Sequence, residues 1–278
     1  MCRWLAYTGP SIFMDALLIK PQHSLIDQSL HAKMNFVPGV GKWTTNGDGF
    51  GLGWYGARTR PGLFRSIRPA WNDDNLRHLA EQIRSHLFFA HVRAATPGTE
   101  VQRTNSHPFL YGRWLFQHNG DVGDFWLLRR DLQCAVSPEL FPNIRGTTSS
   151  ETLFYLALTY GLADDPLGAM QRVVGDVERL RKRYRMEMPA FLTLAFTDGR
   201  VIYALRYSSN HASKTLFYSR NLRAIHELNG DYEAIPEGGH ILVSEPLDDL
   251  SDDWALVPES TFIIMDGGQV TAIPFHPE

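Results

Sequence analysis

Cysteine is nearly missing from this chain: two residues, Cys2 and Cys134, in 278. They form neither a disulfide framework nor a paired metal-ligand spacing, which suits a reducing compartment. Like-charge runs are missing too. With 27 basic against 30 acidic residues the formal charge is −3, so no nucleic-acid arm and no acidic tail is indicated, and no membrane. The apolar run Ile12-Phe13-Met14 is cut by Asp15 before it reaches signal-peptide length. Nothing approaches the ~18 apolar residues of a membrane span, so a cytoplasmic protein is expected. No linker, repeat or low-complexity segment divides the chain, and a single domain over residues 1–278 follows as the expectation. At 44% hydrophobic and 21% charged residues, the composition is that of an ordinary globular protein.

What is present begins at the first residues, Met1-Cys2-Arg3-Trp4-Leu5. Removal of Met1 would make Cys2 the first residue. A free α-amino group titrates near ~7.7 to 8.0 and a thiol near ~8.5, so an N-terminal cysteine carries a nucleophile and a proton acceptor in one residue. Cys2 to Tyr7 reads as a strand, which would hold that nucleophile at the mouth of a sheet. Cys134 reads as a small buried hydrophobe.

A short helix is expected over Ser24 to His31. The glycine-dense stretch Asn46 to Tyr55 then runs into a strand. No Gly-Lys-Ser/Thr follows it, so it is no phosphate loop; it is a hairpin whose glycines permit close backbone approach, either generally or to Cys2 itself. Asn72 and Asp73 cap a helix whose apolar positions are Leu76, Leu79, Ile83 and Leu87. A buried strand, Leu87 to Val92, delivers Arg93 at its end. Arg93 is a surface charge or a carboxylate clamp, since its guanidinium fork suits an amino-acid carboxylate.

Trp114 to Gln117 reads as a strand leading into His118-Asn119-Gly120-Asp121. The Asn-Gly step is a tight-turn signal. It also fits an oxyanion hole, with the Asn119 amide and the Gly120 N–H directed at one point. His91, His107 and His118 lack the short spacing of a zinc site, so no metal and no cofactor is assigned. Thr148 and Glu151 make a capping box for a helix through Tyr160, and Asp165-Pro166 opens another that ends in a solvated Arg181-Lys182-Arg183 cluster. From Ala190 onward the period is that of strands, with Asp198-Gly199 and Asp266-Gly267-Gly268 as hairpin turns. The class is α+β.

Met1-Cys2, Asp48 to Trp54, His91-Val92-Arg93-Ala94-Ala95-Thr96, Asn105 to Phe109, His118-Asn119-Gly120 and Thr148-Ser149-Ser150-Glu151 together resemble class II glutamine amidotransferases, in order and in spacing. The later Val243-Ser244-Glu245-Pro246-Leu247 extends the resemblance to the stand-alone branch of γ-glutamyl amidohydrolases. That resemblance implies an N-terminal-nucleophile hydrolase, a four-layer αββα sandwich with two antiparallel sheets. It implies Cys2 as nucleophile, Asn119 and Gly120 as the oxyanion hole, Arg93 on the substrate α-carboxylate with Thr96 beside it, and His118 and Ser149 in the substrate site. Ser149 departs from the family, where an Asp at this position neutralises the α-ammonium. The expected reaction is cleavage of the γ-amide of glutamine or of a γ-glutamyl compound through a thioester on Cys2. Donation of ammonia to a separate synthetase partner, a homo-oligomer, and a non-catalytic binding protein that kept the fold remain as alternatives.

Overall fold

The strand and helix periods resolve into two antiparallel sheets covered by helices, seen in a computed structural model that describes residues 2–37, 41–96, 98–220, 238–249 and 251–278. Met1 lies outside the described residues. The first half runs β1 (Arg3–Phe13), α1 (Asp15–Leu18), α2 (Leu25–His31), the short pair β2 (Phe36–Val37) and β3 (Gly41–Lys42), β4 (Phe50–Trp54), β5 (Gly62–Ser66), α3 (Asp74–Gln82) and β6 (Arg84–Val92). The second half begins with β7 (Phe109–Tyr111), β8 (Trp114–Val122), α4 (Phe125–Cys134), α5 (Ser149–Thr159) and α6 (Pro166–Arg183). It closes with β9 (Ala190–Thr197), β10 (Ile202–Ser208), β11 (Phe217–Ser219), β12 (His240–Val243), β13 (Trp254–Leu256), β14 (Thr261–Asp266) and β15 (Gln269–Pro274).

The first sheet has the order β13-β11-β12-β1-β6-β4-β5 and the second β15-β14-β10-β9-β8-β7. Strand alternation sorts their side chains into three cores. On β1, Leu5 and Tyr7 pack with Leu17, Leu25, Ile26 and Leu76 of the helices α1 to α3, whereas Trp4 and Ala6 point the other way, toward Leu115 and Ala195 of the second sheet. On β9, Leu192, Leu194 and Phe196 pack with Leu132, Leu153, Leu156 and Val173 of α4 to α6. The layers are therefore helix, sheet, sheet, helix. Small residues at Ala6, Ala195 and Ala204 let the facing sheets interdigitate around Trp4. Two side chains also cross that interface: Trp4 Nε1 donates to Thr193 O at 3.2 Å, and Gln117 Nε2 donates to Leu5 O at 3.1 Å. No helix among the described residues is long and apolar enough to cross a membrane.

Local signals hold at most boundaries. Ser24 caps α2, Asp73 accepts from Leu76 N at the start of α3, and Asp165 accepts from Gly168 N at the start of α6. Several readings need correction. The Asn119-Gly120 step is no turn: β8 continues through it, with Asn119 opposite Thr193 and Gly120 opposite Leu192 on β9. Leu87 belongs to β6 alone, because α3 stops at Gln82. The glycines of β4 do not approach Cys2. A Cβ on Gly51 would lie 2.1 Å from His107 O, and one on Gly53 would meet Leu115, so they admit the neighbouring sheet. Cys134 is exposed, since α4 buries Leu128 and Leu132 on its other side. Arg181 is buried and donates to Met188 O, so only the rest of its basic cluster is solvated.

Candidate active site

Cys2 precedes the central strand of the first sheet and is nearly buried. Register places Arg3 opposite Val92, so Cys2 stands beside Arg93 at the end of β6. Its Sγ contacts Ala94 O at 3.6 Å as a thiol donor. The segment after β6 is gripped by the glycine-dense turn: Arg93 N donates to Gly49 O, Asp48 N to Arg93 O, and the Asp48 carboxylate accepts Ala95 N at 2.8 Å. Gly49, with φ of +120°, is bent there as few other residues could be.

Arg93 is buried, with one arm of its fork occupied. Nη2 donates to Glu100 O at 3.1 Å and Thr99 Oγ1 at 3.3 Å, while Nη1 is buried without a partner. Burial lowers its pKa, and the proximity of Cys2 and Asp48 opposes that shift. A guanidinium remains charged at any working pH. A buried cationic N–H with no acceptor is costly unless a ligand supplies one. Thr96 is exposed; its carbonyl accepts from Thr99 N and Oγ1 and so shapes the loop beside Arg93.

The second sheet supplies Asn119 and Gly120. Both polar atoms of the Asn119 amide are buried and unpartnered. Its ladder partner Thr193 accepts Trp4 Nε1, which couples this strand to the first residues of β1. Gly120 has φ of +148°, and a Cβ there would lie 1.9 Å from Phe191 O, so no side chain is tolerated.

His118 holds this strand in place. Phe191 O can only accept, so Nε2 carries the proton and donates to it at 2.9 Å, leaving Nδ1 to accept from Ser150 Oγ at 2.8 Å. Burial lowers the His118 pKa to about 4, against the hydrogen bond to Phe191. His91, whose pKa burial lowers to about 3, donates from Nε2 to His118 O and stacks on His107 at 4.2 Å. Both His118 nitrogens are thus engaged within the protein. Ser149 Oγ accepts Val122 N at 3.4 Å, which pins the start of α5 to the end of β8. Glu151 accepts from Arg145 N and Gly146 N, so the reciprocal half of the expected capping box is replaced by a loop clamp. Among the described residues, no three His, Cys, Asp or Glu side chains gather as metal ligands.

Sequence reasoning missed the charge network behind Cys2. Arg3 Nη1 donates to Cys2 O at 2.9 Å, and Arg3 Nε pairs with Glu245 at 2.9 Å, both side chains being buried. Glu245 also meets His23 Nε2 at 2.6 Å and accepts Lys33 N and Met34 N, and His23 reaches Asp27 at 2.7 Å. Burial alone would raise the Glu245 carboxyl; the His23 hydrogen bond, the Arg3 charge and the two N–H donors outweigh it and hold the pKa at about 2. The available signal was an Arg beside Cys2 and a Glu in the late motif, two hundred and forty-two positions apart.

The family model for class II glutamine amidotransferases matches residues 16–277. The chain belongs to that family. The probable glutamine amidotransferase DUG3 of Saccharomyces cerevisiae is 33% identical, across 95% of this chain and 81% of that protein. A γ-glutamyl-hercynylcysteine sulfoxide hydrolase of Mycolicibacterium smegmatis is 27% identical across 99% of this chain and 100% of its own. A solved class II domain protein from Silicibacter pomeroyi superposes with a TM-score of 0.73, at 32% identity and 99% of both chains. The amidotransferase family member described here is an N-terminal-nucleophile-type enzyme that cleaves the γ-amide of glutamine or a γ-glutamyl compound. The matched span starts after Cys2, so the role of Cys2 rests on its place in the site.

Proposed function

We propose that the chain acts as a stand-alone hydrolase of γ-glutamyl amides, working as a single domain over residues 1–278 in the cytoplasm, without a synthetase partner. The Cys2 thiolate, its proton taken by the freed α-amine, attacks the amide carbon. A C–S bond forms and the carbonyl oxygen becomes an oxyanion held by Asn119 and the Gly120 N–H. The C–N bond then breaks, the amine leaves with a proton from the α-ammonium, and water resolves the thioester to glutamate and free thiol. Arg93 Nη1 takes the substrate α-carboxylate, and Thr96 shapes the loop beside it.

The observation that carries this reading is the Asn119 amide, buried with neither polar atom partnered. A buried amide in that state is normally compensated, and in this reading its Nδ2 donates to the tetrahedral oxyanion. His118, through its bonds to Phe191 O and Ser150 Oγ, steadies the strand that carries that amide. Asp121 supplies the carboxylate that Ser149 lacks. It lies two residues from Asn119 on the same face of β8, and Ser149 is hydrogen-bonded to the next residue, Val122. Burial raises the Asp121 pKa and the Lys214 charge opposes it.

Comparison of kcat/KM across γ-glutamyl peptides, γ-glutamyl amines and free glutamine tests the proposal. Preference for a conjugate is expected. Preference for free glutamine, stimulated by a co-purifying synthetase, would replace hydrolysis with ammonia donation.

A further inference from the structure

Where β5, β7 and the start of α5 come together, a cavity of about 440 Å³ opens between Arg60, Arg65, Arg145, Thr104, Glu151 and Tyr155. None of Cys2, Arg93, Asn119 and Gly120 lines it. Its volume falls in the range of small-molecule sites, roughly 300 to 1,000 Å³.

Charge in the cavity is one-sided. Three guanidiniums face one carboxylate, and that carboxylate is turned to the backbone: Glu151 accepts Gly146 N at 2.6 Å and Arg145 N at 3.2 Å. Arg65 gives Nη1 to Ser106 O at 3.0 Å. Burial lowers its pKa, and the Glu151 charge only partly offsets the loss of water. Thr104 adds a hydroxyl that is buried with no hydrogen-bond partner. Burial, with the Glu151 charge, pushes the Tyr155 phenol up to about 12, which keeps it a proton donor.

We infer that this cavity is a binding site for a small molecule bearing two or more negative charges, its phosphate or carboxylate groups received by the arginine forks. Against Glu151 the three arginines leave a formal excess of two positive charges in the lining, which a dianion matches and a single carboxylate does not, and the volume exceeds what one small ion fills. Planar donors in fixed forks match the oxygens of either group through paired hydrogen bonds.

The site adjoins the loop that holds the substrate clamp. Asn105, next to Thr104, donates to Glu100 O, the same carbonyl that accepts Arg93 Nη2. A test must therefore separate the cavity from Arg93. Titration calorimetry with pyrophosphate and with citrate, at constant ionic strength in sodium chloride, provides the readout. Saturable one-to-one binding is expected for at least one anion. Binding of pyrophosphate alone identifies a phosphate ligand, citrate alone a polycarboxylate, and both a site read by charge. Arg60→Ala/Arg145→Ala, which alters exposed side chains, should weaken binding by at least about tenfold, and Arg93→Ala should leave it unchanged. Arg60→Glu should weaken it likewise if the double variant does not fold. No saturable binding, loss of binding in Arg93→Ala with the fold intact, or parental affinity in the cavity variants would overturn the inference.

Discussion

Arg3 links Glu245 to Cys2: one guanidinium donates from Nη1 to Cys2 O and from Nε to the Glu245 carboxylate, each at 2.9 Å. The Cys2 carbonyl is thereby fixed from behind by a buried ion pair, while its thiol faces Ala94 O. Glu245→Ala leaves Arg3 buried and uncompensated, a change that costs about 3 to 5 kcal/mol. Denaturant unfolding measures that loss. Because the folded pKa of Glu245 is depressed to about 2, its contribution is complete above the unfolded value near ~4.3 and declines as pH falls through about 2. The acid difference between parent and variant should narrow over that window.

The neutral histidines give a second acid dependence of stability. His91 and His118 have folded pKa values of about 3 and about 4, lowered by burial, against ~6.5 in the unfolded chain. The unfolded state therefore binds more protons between those limits, and stability falls as pH drops below 6.5. Each contributes a slope of about 1.4 kcal/mol per pH unit. Unfolding free energies measured from pH 7 to 5 in the parent and in His91→Asn should show a slope shallower by about one proton in the variant. Identical slopes would mean that His91 is charged in the fold.

Asn119→Ala should lower kcat by about a hundredfold to a thousandfold, ~2.7 to 4 kcal/mol, with a smaller change in KM. The same variant should cost little stability, because the amide has no partner to lose. Steady-state kinetics with a γ-glutamyl amide decide this. An unchanged kcat would leave Asn119 as a strand residue alone.

Three substitutions address the α-amino acid end of the proposed substrate. Arg93→Lys replaces the fork with a point charge, and kcat/KM should fall by about tenfold to a hundredfold, as expected for a charged hydrogen bond worth ~1.5 to 3 kcal/mol. Asp121→Asn should raise KM, and Ser149→Asp should be neutral or harmful for free glutamine, because a second carboxylate beside Asp121 adds like-charge repulsion and no missing partner. A harmless Asp121→Asn would mean that the ammonium is recognised elsewhere.

Local rules made most of this architecture legible. Strand alternation on β1 and β9, and the caps at Ser24, Asp73 and Asp165, act within a few residues and survive in the fold. The readings that failed depended on distant partners. Asn119-Gly120 has turn chemistry, but pairing with β9 across some seventy positions overrides it. The glycines of β4 signalled a close approach without naming His107 and Leu115 as what approaches. At the site, the motifs named Cys2, Arg93, Asn119 and Gly120. The Arg3–Glu245–His23 network was hidden because each member alone reads as an ordinary polar residue, and only β1 beside β12 brings them together.

The central claim is that Cys2, with its own α-amine free, is the nucleophile. Intact mass spectrometry of active protein, before and after treatment with an electrophilic glutamine analogue, tests it most directly. The account predicts loss of Met1, one covalent adduct located on Cys2, and neither adduct nor turnover in Cys2→Ala. Active protein that retains Met1, or a Cys2→Ala variant that releases glutamate at the parental rate, would contradict it.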